Sequence, residues 1–174
     1  MPAEEPEPTV WPEGFVSTSE DRRSVLVLSS LRGITPRKLI AVAADRGSAS
    51  ATLDWIRRGR AGSENDSAFA RELDADEIEL AIVASGARII PWGSPEYPEQ
   101  LANIHDPPPV LFVIGGPMPD QTRAIAVVGA RRCSDLGREL AREIGRALAL
   151  AGEVVVSGAA RGIDSAAHEG ALRA

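Results

Sequence analysis

Residues 124–172, AIAVVGARRCSDLGRELAREIGRALALAGEVVVSGAARGIDSAAHEGAL, read as strand, glycine turn, helix, strand, glycine turn, helix. Ile125–Val128 and Val154–Val156 are short, largely β-branched apolar runs without alternation, the pattern of parallel strands buried on both faces. Between them Leu140, Ile144, Ala147, Leu148 and Ala151 recur at helical spacing, with Ser134 or Asp135 placed to cap the start and Gly152 to end the helix in a left-handed turn. The stretch is therefore one βαβ unit plus the start of a second. A second crossover opens after Val156, so the reading expects a sheet still unfinished at residue 174.

Each turn follows a strand and opens a helix, where free backbone amides and the positive end of the helix dipole attract anions. The first, Gly129-Ala130-Arg131-Arg132, combines a glycine that admits close backbone approach with following arginines. The second, Ser157-Gly158-Ala159-Ala160-Arg161-Gly162-Ile163-Asp164, repeats those elements, with a hydroxyl before Gly158 and Asp164 in place to cap the helix. Gly129, Arg131, Arg132, Ser157, Gly158, Ala160, Arg161, Gly162 and Asp164 are the expected phosphate-binding residues, for a nucleotide or a nucleic-acid backbone. The bland alternative is that the glycines only make tight turns and Arg161 only pairs with Asp164. The dinucleotide fingerprint Gly-x-Gly-x-x-Gly is absent after Val128, where the next glycine is Gly137.

Two such turns in tandem, VGARRCSDLG and SGAARGIDSAAHEGAL, resemble the DNA-processing protein A (DprA, or Smf) family, with its VGxR turn and SGxARGID-x-x-AH run. Tyr97-Pro98, Leu101, Ile104 and Asp106-Pro107-Pro108 through Leu111 match the family's YPxxL-x-x-I-x-DPP-x-xL pattern, and the likeness extends from about Ser24 to the end. Ala159 stands where the family usually has Leu, and Leu136 where it often has Tyr or another aromatic. The resemblance implies an α/β fold, a Rossmann-like parallel-rich sheet preceded by a small all-α domain of the sterile-alpha-motif-like or helix-hairpin-helix kind. It also implies a single-stranded DNA-binding protein without catalysis, cofactor or metal, which assists RecA-type recombinase loading in natural transformation and forms a homodimer at full length. An enzyme that cleaves nucleotide N-glycosidic bonds, as related Rossmann-like phosphoribohydrolases do, is the competing reading. It needs a PGGxGT-x-x-E segment that is absent here. A regulatory nucleotide-binding module is a third.

The net charge of −6 argues at first against nucleic acid, but its distribution matters more: residues 121–174 carry +2 and residues 1–120 carry −8. The basic excess sits where the glycine turns are. One cysteine, Cys133, excludes an internal disulfide and a CxxC metal site. No apolar run approaches the roughly 20 residues of a membrane span, and the acidic start is unlike a secretory signal, so a cytoplasmic location is expected.

Residues 1–21, with four prolines and six carboxylates, read as a disordered acidic tail in which Trp11 and Phe15 are idle. Residues 22–86 read as a small helical domain. Its helices are expected around Val25–Leu31, after the Thr35-Pro36 cap up to Gly47, over 51–58 and over 76–85. The turn Leu31–Pro36 is the one place for a helix-hairpin-helix grip on duplex phosphate, with packing as its plainer role. Residues 87–174 read as the first part of the Rossmann-like domain, Arg88–Pro91 and Val110–Ile114 joining the two later strands in one sheet of at least four. Tyr97 is expected to pack and not to stack on a base. Asp164 and His168, four apart on one helix face, form a structural pair in this reading, and His105 lies in a loop.

Overall fold

Side-chain caps fix where the N-terminal helices begin. Thr18 starts α1 (Ser19–Ser30) in a reciprocal capping box with Asp21, Thr35 with Pro36 behind it starts α2 (Pro36–Arg46), and Ser48 starts α3 (Ala49–Arg57). Ser63 starts α4 (Glu64–Glu72) in a second box with Asp66, and Asp74 starts α5 (Ala75–Ala84). These details come from a computed structural model that describes residues 10–119 and 123–174. By its internal contacts the chain forms two units, Met1–Gly116 and Pro117–Ala174.

In the first unit, Val25 to Leu28, Ile40 and Ile56 are fully buried around one core. Trp11 and Phe15 belong to that core, with Val16 packed against it, which corrects the expectation that these aromatics are idle. Trp11 and Phe15 stack at 4.6 Å, are 3% and 0% exposed, and are tied in by Trp11 Nε1 donating to Pro107 O (2.8 Å) and Ala49 N to Phe15 O (2.9 Å). Two aromatics bury enough apolar area to offset the ordering of a short acidic segment. The rest of that expected tail, residues 1–9, lies outside the described residues.

Helix α4 was not foreseen, because Glu64–Glu72 offers only Ala68, Phe69 and Ala70 as apolar residues. The strands β1 (Ala87–Pro91) and β2 (Val110–Ile114) pair antiparallel, with Ile89 opposite Phe112. A single parallel-rich sheet of four is therefore not what forms: the described residues hold two two-stranded sheets. The link from β1 to β2 contains one helical turn, α6 (Glu99–Ala102), where a parallel crossover needs a full helix. It closes on itself through Trp92 N to Pro109 O (2.9 Å) and Tyr97 Oη to Pro108 O (2.7 Å). The hairpin groups with the helices and not with the residues after Gly116, since Val110 lies in the helical core and Ile89 packs against it.

The second unit is the expected βαβ crossover and the helix after it, the Rossmann-like half-unit of an α/β fold. β3 (Ala124–Ala126) pairs parallel to β4 (Val154–Val156), joined by α7 (Asp135–Leu150) and followed by α8 (Ile163–Ala171). Ser134 caps α7 by accepting from Gly137 N (3.1 Å). Small residues carry the α7–α8 contact: a Cβ on Gly145 would overlap Ala167 O, and one on Gly170 would overlap Arg142 O. Burial on both strand faces is not observed. Ile125 and Val156 stay exposed, and in this two-stranded sheet each strand is an edge strand among the described residues. No described helix is long and apolar enough to cross a membrane.

Candidate nucleic-acid interface

Parallel pairing of β3 and β4 sets the two glycine turns side by side, and Val127 N to Val156 O (2.9 Å) carries the ladder one step further. Beyond that step the turns are tied to each other. Gly129 N donates to Asp164 Oδ1 (3.2 Å), and Ile163 N donates to Ala130 O (3.3 Å). Gly129 must be glycine because a Cβ there would lie 2.7 Å from the Ile163 side chain. This differs from the expected reason, close approach of a ligand, and it takes the Gly129 amide out of the set open to phosphate.

Asp164 likewise has another job than the cap expected of it. The cap position of α8 is Gly162, and the buried Asp164 carboxylate reaches across to the first turn. It makes no ion pair with Arg161 and no hydrogen bond with His168; its one hydrogen bond among the described residues goes to the neighbouring turn. The carboxylate also lies close to Gly158, where an added Cβ would sit 3.1 Å from Asp164 Oδ2.

The left-handed backbone falls at Ala159 (φ 51°) and Gly162 (φ 95°). Gly162 also presses on the first turn: a Cβ there would overlap Ala130 O and stand 2.8 Å from Arg131 O. No L side chain satisfies both demands. The consequence is a run of amides, Gly158 to Gly162, none of which has an acceptor among the described residues, whereas Ser165 N and Ala166 N are already bonded to Ala160 O and Gly162 O. Ser157 Oγ, at the head of the run, is buried without a hydrogen-bond partner among the described residues. Consecutive N–H groups without acceptors, beside a spare hydroxyl, are the donor set that anion-binding turns use.

Arg131, Arg132 and Arg161 are exposed, and none has a carboxylate within ion-pair distance among the described residues. Arg142 and Arg123, by contrast, are held by Glu139, Glu169 and Glu153. Of the nine expected site residues, the structure thus gathers all around one pair of turns, with Gly129 and Asp164 acting as the latch between them. Ala130, Ala159 and Ile163 were missed as contributors. Ala130 and Ile163 act through main chain and packing, which carry no residue-type signal, and Ala159 acts through its φ.

Tyr97 is buried, as expected, and burial pushes its phenol up to about 12, with Oη bonded to Pro108 O. In the helical unit, Gly33 N is taken by Asp66 Oδ1 (3.0 Å), so this amide of the Leu31–Pro36 turn is closed to a phosphate.

Residues 88–174 match the family model described as DNA recombination-mediator protein A. A putative DNA processing protein DprA of Mycobacterium tuberculosis is 35% identical over 136 residues, covering 68% of this chain and 35% of the relative. The DNA processing protein DprA of Bacillus subtilis is 36% identical over 90 residues, covering 51% and 30%. The X-ray structure of DNA processing protein A from Streptococcus pneumoniae superposes with a TM-score of 0.58 at 25% identity, covering 90% of this chain and 54% of that one. The chain spans about a third of the length of these curated relatives.

Proposed function

This chain belongs to the DNA recombination-mediator protein A family, and on that premise we propose that its paired glycine turns hold backbone phosphates of single-stranded DNA, which the full-length homodimer passes to a RecA-type recombinase. The observation that carries the reading is the run of unbonded amides from Gly158 to Gly162 beside the partnerless Ser157 hydroxyl. A buried hydroxyl almost always has a partner, and a phosphate at the turn would supply acceptors both for it and for the unbonded amides beside it. Arg161 within the run and Arg131 and Arg132 on the neighbouring turn have no carboxylate partner among the described residues and add the long-range attraction. Contacts of this kind position a strand without reading its sequence, so binding falls steeply with salt.

Arg161→Ala tests it. Loss of one charge-assisted contact costs about 1.5–3 kcal/mol, a roughly tenfold or greater loss of oligonucleotide affinity at low salt. The exposed position of Arg161 leaves the fold intact. An unchanged affinity in a normally folded variant would overturn the assignment.

A further inference from the structure

The helical unit carries a second arrangement of cations that the turns do not use. Arg46 stands over the Trp55 ring at 4.3 Å and Arg60 over the same ring at 5.9 Å. Both arginines are exposed, and neither has a carboxylate or carbonyl partner among the described residues. The neighbouring Asp54 carboxylate faces Arg58 instead, at 3.7 Å. Arg46 ends α2, where a cation ordinarily turns to the last carbonyls, yet its guanidinium lies on the indole. Arg60 returns to the same ring because Gly59 takes φ 72° and lets Arg60 N donate to Trp55 O (3.2 Å).

Residues 46–60 hold four arginines and one carboxylate, inside a region, residues 1–120, whose net charge is −8. In such surroundings exposed arginines meet carboxylates readily, yet Arg46 lies on the Trp55 ring and Arg60 comes within cation–π reach of it, and both stay without a carboxylate among the described residues. Stacking on a ring fixes the guanidinium plane by cation–π attraction and leaves its in-plane N–H edge free. Two guanidinium groups at one half-buried indole match successive oxygens of a polyanion better than a lone carboxylate.

We propose that Arg46, Trp55 and Arg60 form a second DNA-backbone contact, one that takes single-stranded phosphodiester independently of the glycine turns. The inference rests on the preceding reading only for the identity of the polyanion. The ring orders the arginines, and the arginines hold the phosphates.

A fluorescent single-stranded oligonucleotide, titrated with the 174-residue chain over a range of salt, tests this. The variants are Arg46→Gln with Arg60→Gln, Arg161→Ala, and all three together, with circular dichroism to verify folding. The double variant is expected to lose affinity roughly tenfold at low salt, and its log–log salt slope to shrink by about 1.4, two phosphates at ~0.7 each. The loss should add to that of Arg161→Ala, since separate sites act independently. Trp55→Leu, which keeps both charges and removes their platform, should fall between parent and double variant. An unaltered affinity and slope in the double variant overturn the proposal and leave the turns to be judged by Arg161→Ala alone. Loss in the double variant with none in Arg161→Ala upholds this site and removes the turns. Polyglutamate added as competitor gives the last outcome: if it binds more tightly than the oligonucleotide and needs Arg46 and Arg60, the site serves an acidic protein and the DNA assignment fails.

Discussion

Three aspartates in the first turns of helices each tie that helix to a neighbouring segment, and two of them, Asp21 and Asp66, also cap their own helix start. Asp21 accepts from Thr18 N and Oγ1 inside its capping box and, with its other oxygen, from Ser50 N (3.0 Å) and Ser50 Oγ (2.8 Å) at the start of α3. Asp66 does so between Ser63 and Gly33, and Asp164 between α8 and Gly129. Burial alone would raise the Asp21 carboxyl, but the donors from Ser50 and Thr18 outweigh it and bring it down to about 2 from 3.8. A folded-state value below the unfolded one adds stability above the unfolded value, and that stability is lost as pH falls through the folded one. Between about pH 4 and pH 2 the first unit should therefore lose on the order of 2 kcal/mol through this group. Asp21→Asn should cost a similar amount at neutral pH and flatten the acid limb of a denaturant-midpoint profile. An equally steep limb in the variant would show that other carboxylates govern it. Sequence alone pointed to the glycines, Ser157 and the arginines of the turns as candidates, because glycines between strand and helix mark turns with open amides and arginines mark cations. It did not reveal the partner of Asp164, since a carboxylate two residues into a helix reads as a local cap.

At the scale of elements, the α7–α8 crossing decides how the two turns are held, because both helices begin at them. Gly145 and Gly170 let the backbones meet with no side chain between, backed by Ala141, Ala166 and Ala167. Gly145→Val would set a branched side chain against the Ala167 carbonyl and force the helices apart. Overpacking of this sort costs about 1–3 kcal/mol, and here it should also lower oligonucleotide affinity through displacement of Gly162. Gly137→Ala, whose Cβ would meet Ser134 Oγ at 3.3 Å at the exposed start of α7, should be milder in both respects. Chemical denaturation and an oligonucleotide titration of the two variants check this, and equal effects would mean that the crossing does not position the turns. The crossover itself was legible because strand, cap, periodic helix and strand all agree in residues 124–156. The sheet around it was not. Antiparallel pairing of β1 with β2 follows from the one-turn link through α6, and the proline-fenced Tyr97 segment that closes it has no periodicity to read. Helix α4 is hard to read for a related reason: the Ser63–Asp66 box fixes its start, and only Ala70 of its apolar residues is buried, so no apolar stripe marks it.

Across the whole molecule the two units are built from different materials, and this bears on how each responds to a ligand. The first buries Phe15, Leu26, Leu28, Ile40 and Ile56 completely, each side chain contributing roughly 1.5–3 kcal/mol. In the second the fully covered apolar side chains are Ala141, Ala166 and Ala167, while Leu136, Leu140 and Ile144 along α7 stay about half or more exposed. A core of methyl groups gives far less stabilisation per residue, so local opening of α7, α8 and the turns should be easier than opening of α1. Hydrogen exchange should show the amides of Val25–Leu28 as the slowest class and those of Ala141–Ala147 exchanging orders of magnitude faster. Binding then supplies what the core lacks: at an oligonucleotide concentration of ~100 times Kd, the second unit gains about 2.7 kcal/mol, near a hundredfold in protection. That gain should centre on residues 158–166, where the free amides of the turn run into α8. Arg161→Ala should diminish it, and Arg46→Gln with Arg60→Gln should leave it in place once the strand is raised to saturation. Protection that rises uniformly through both units, or not at all in 158–166, would show that the strand is held elsewhere than on the glycine turns.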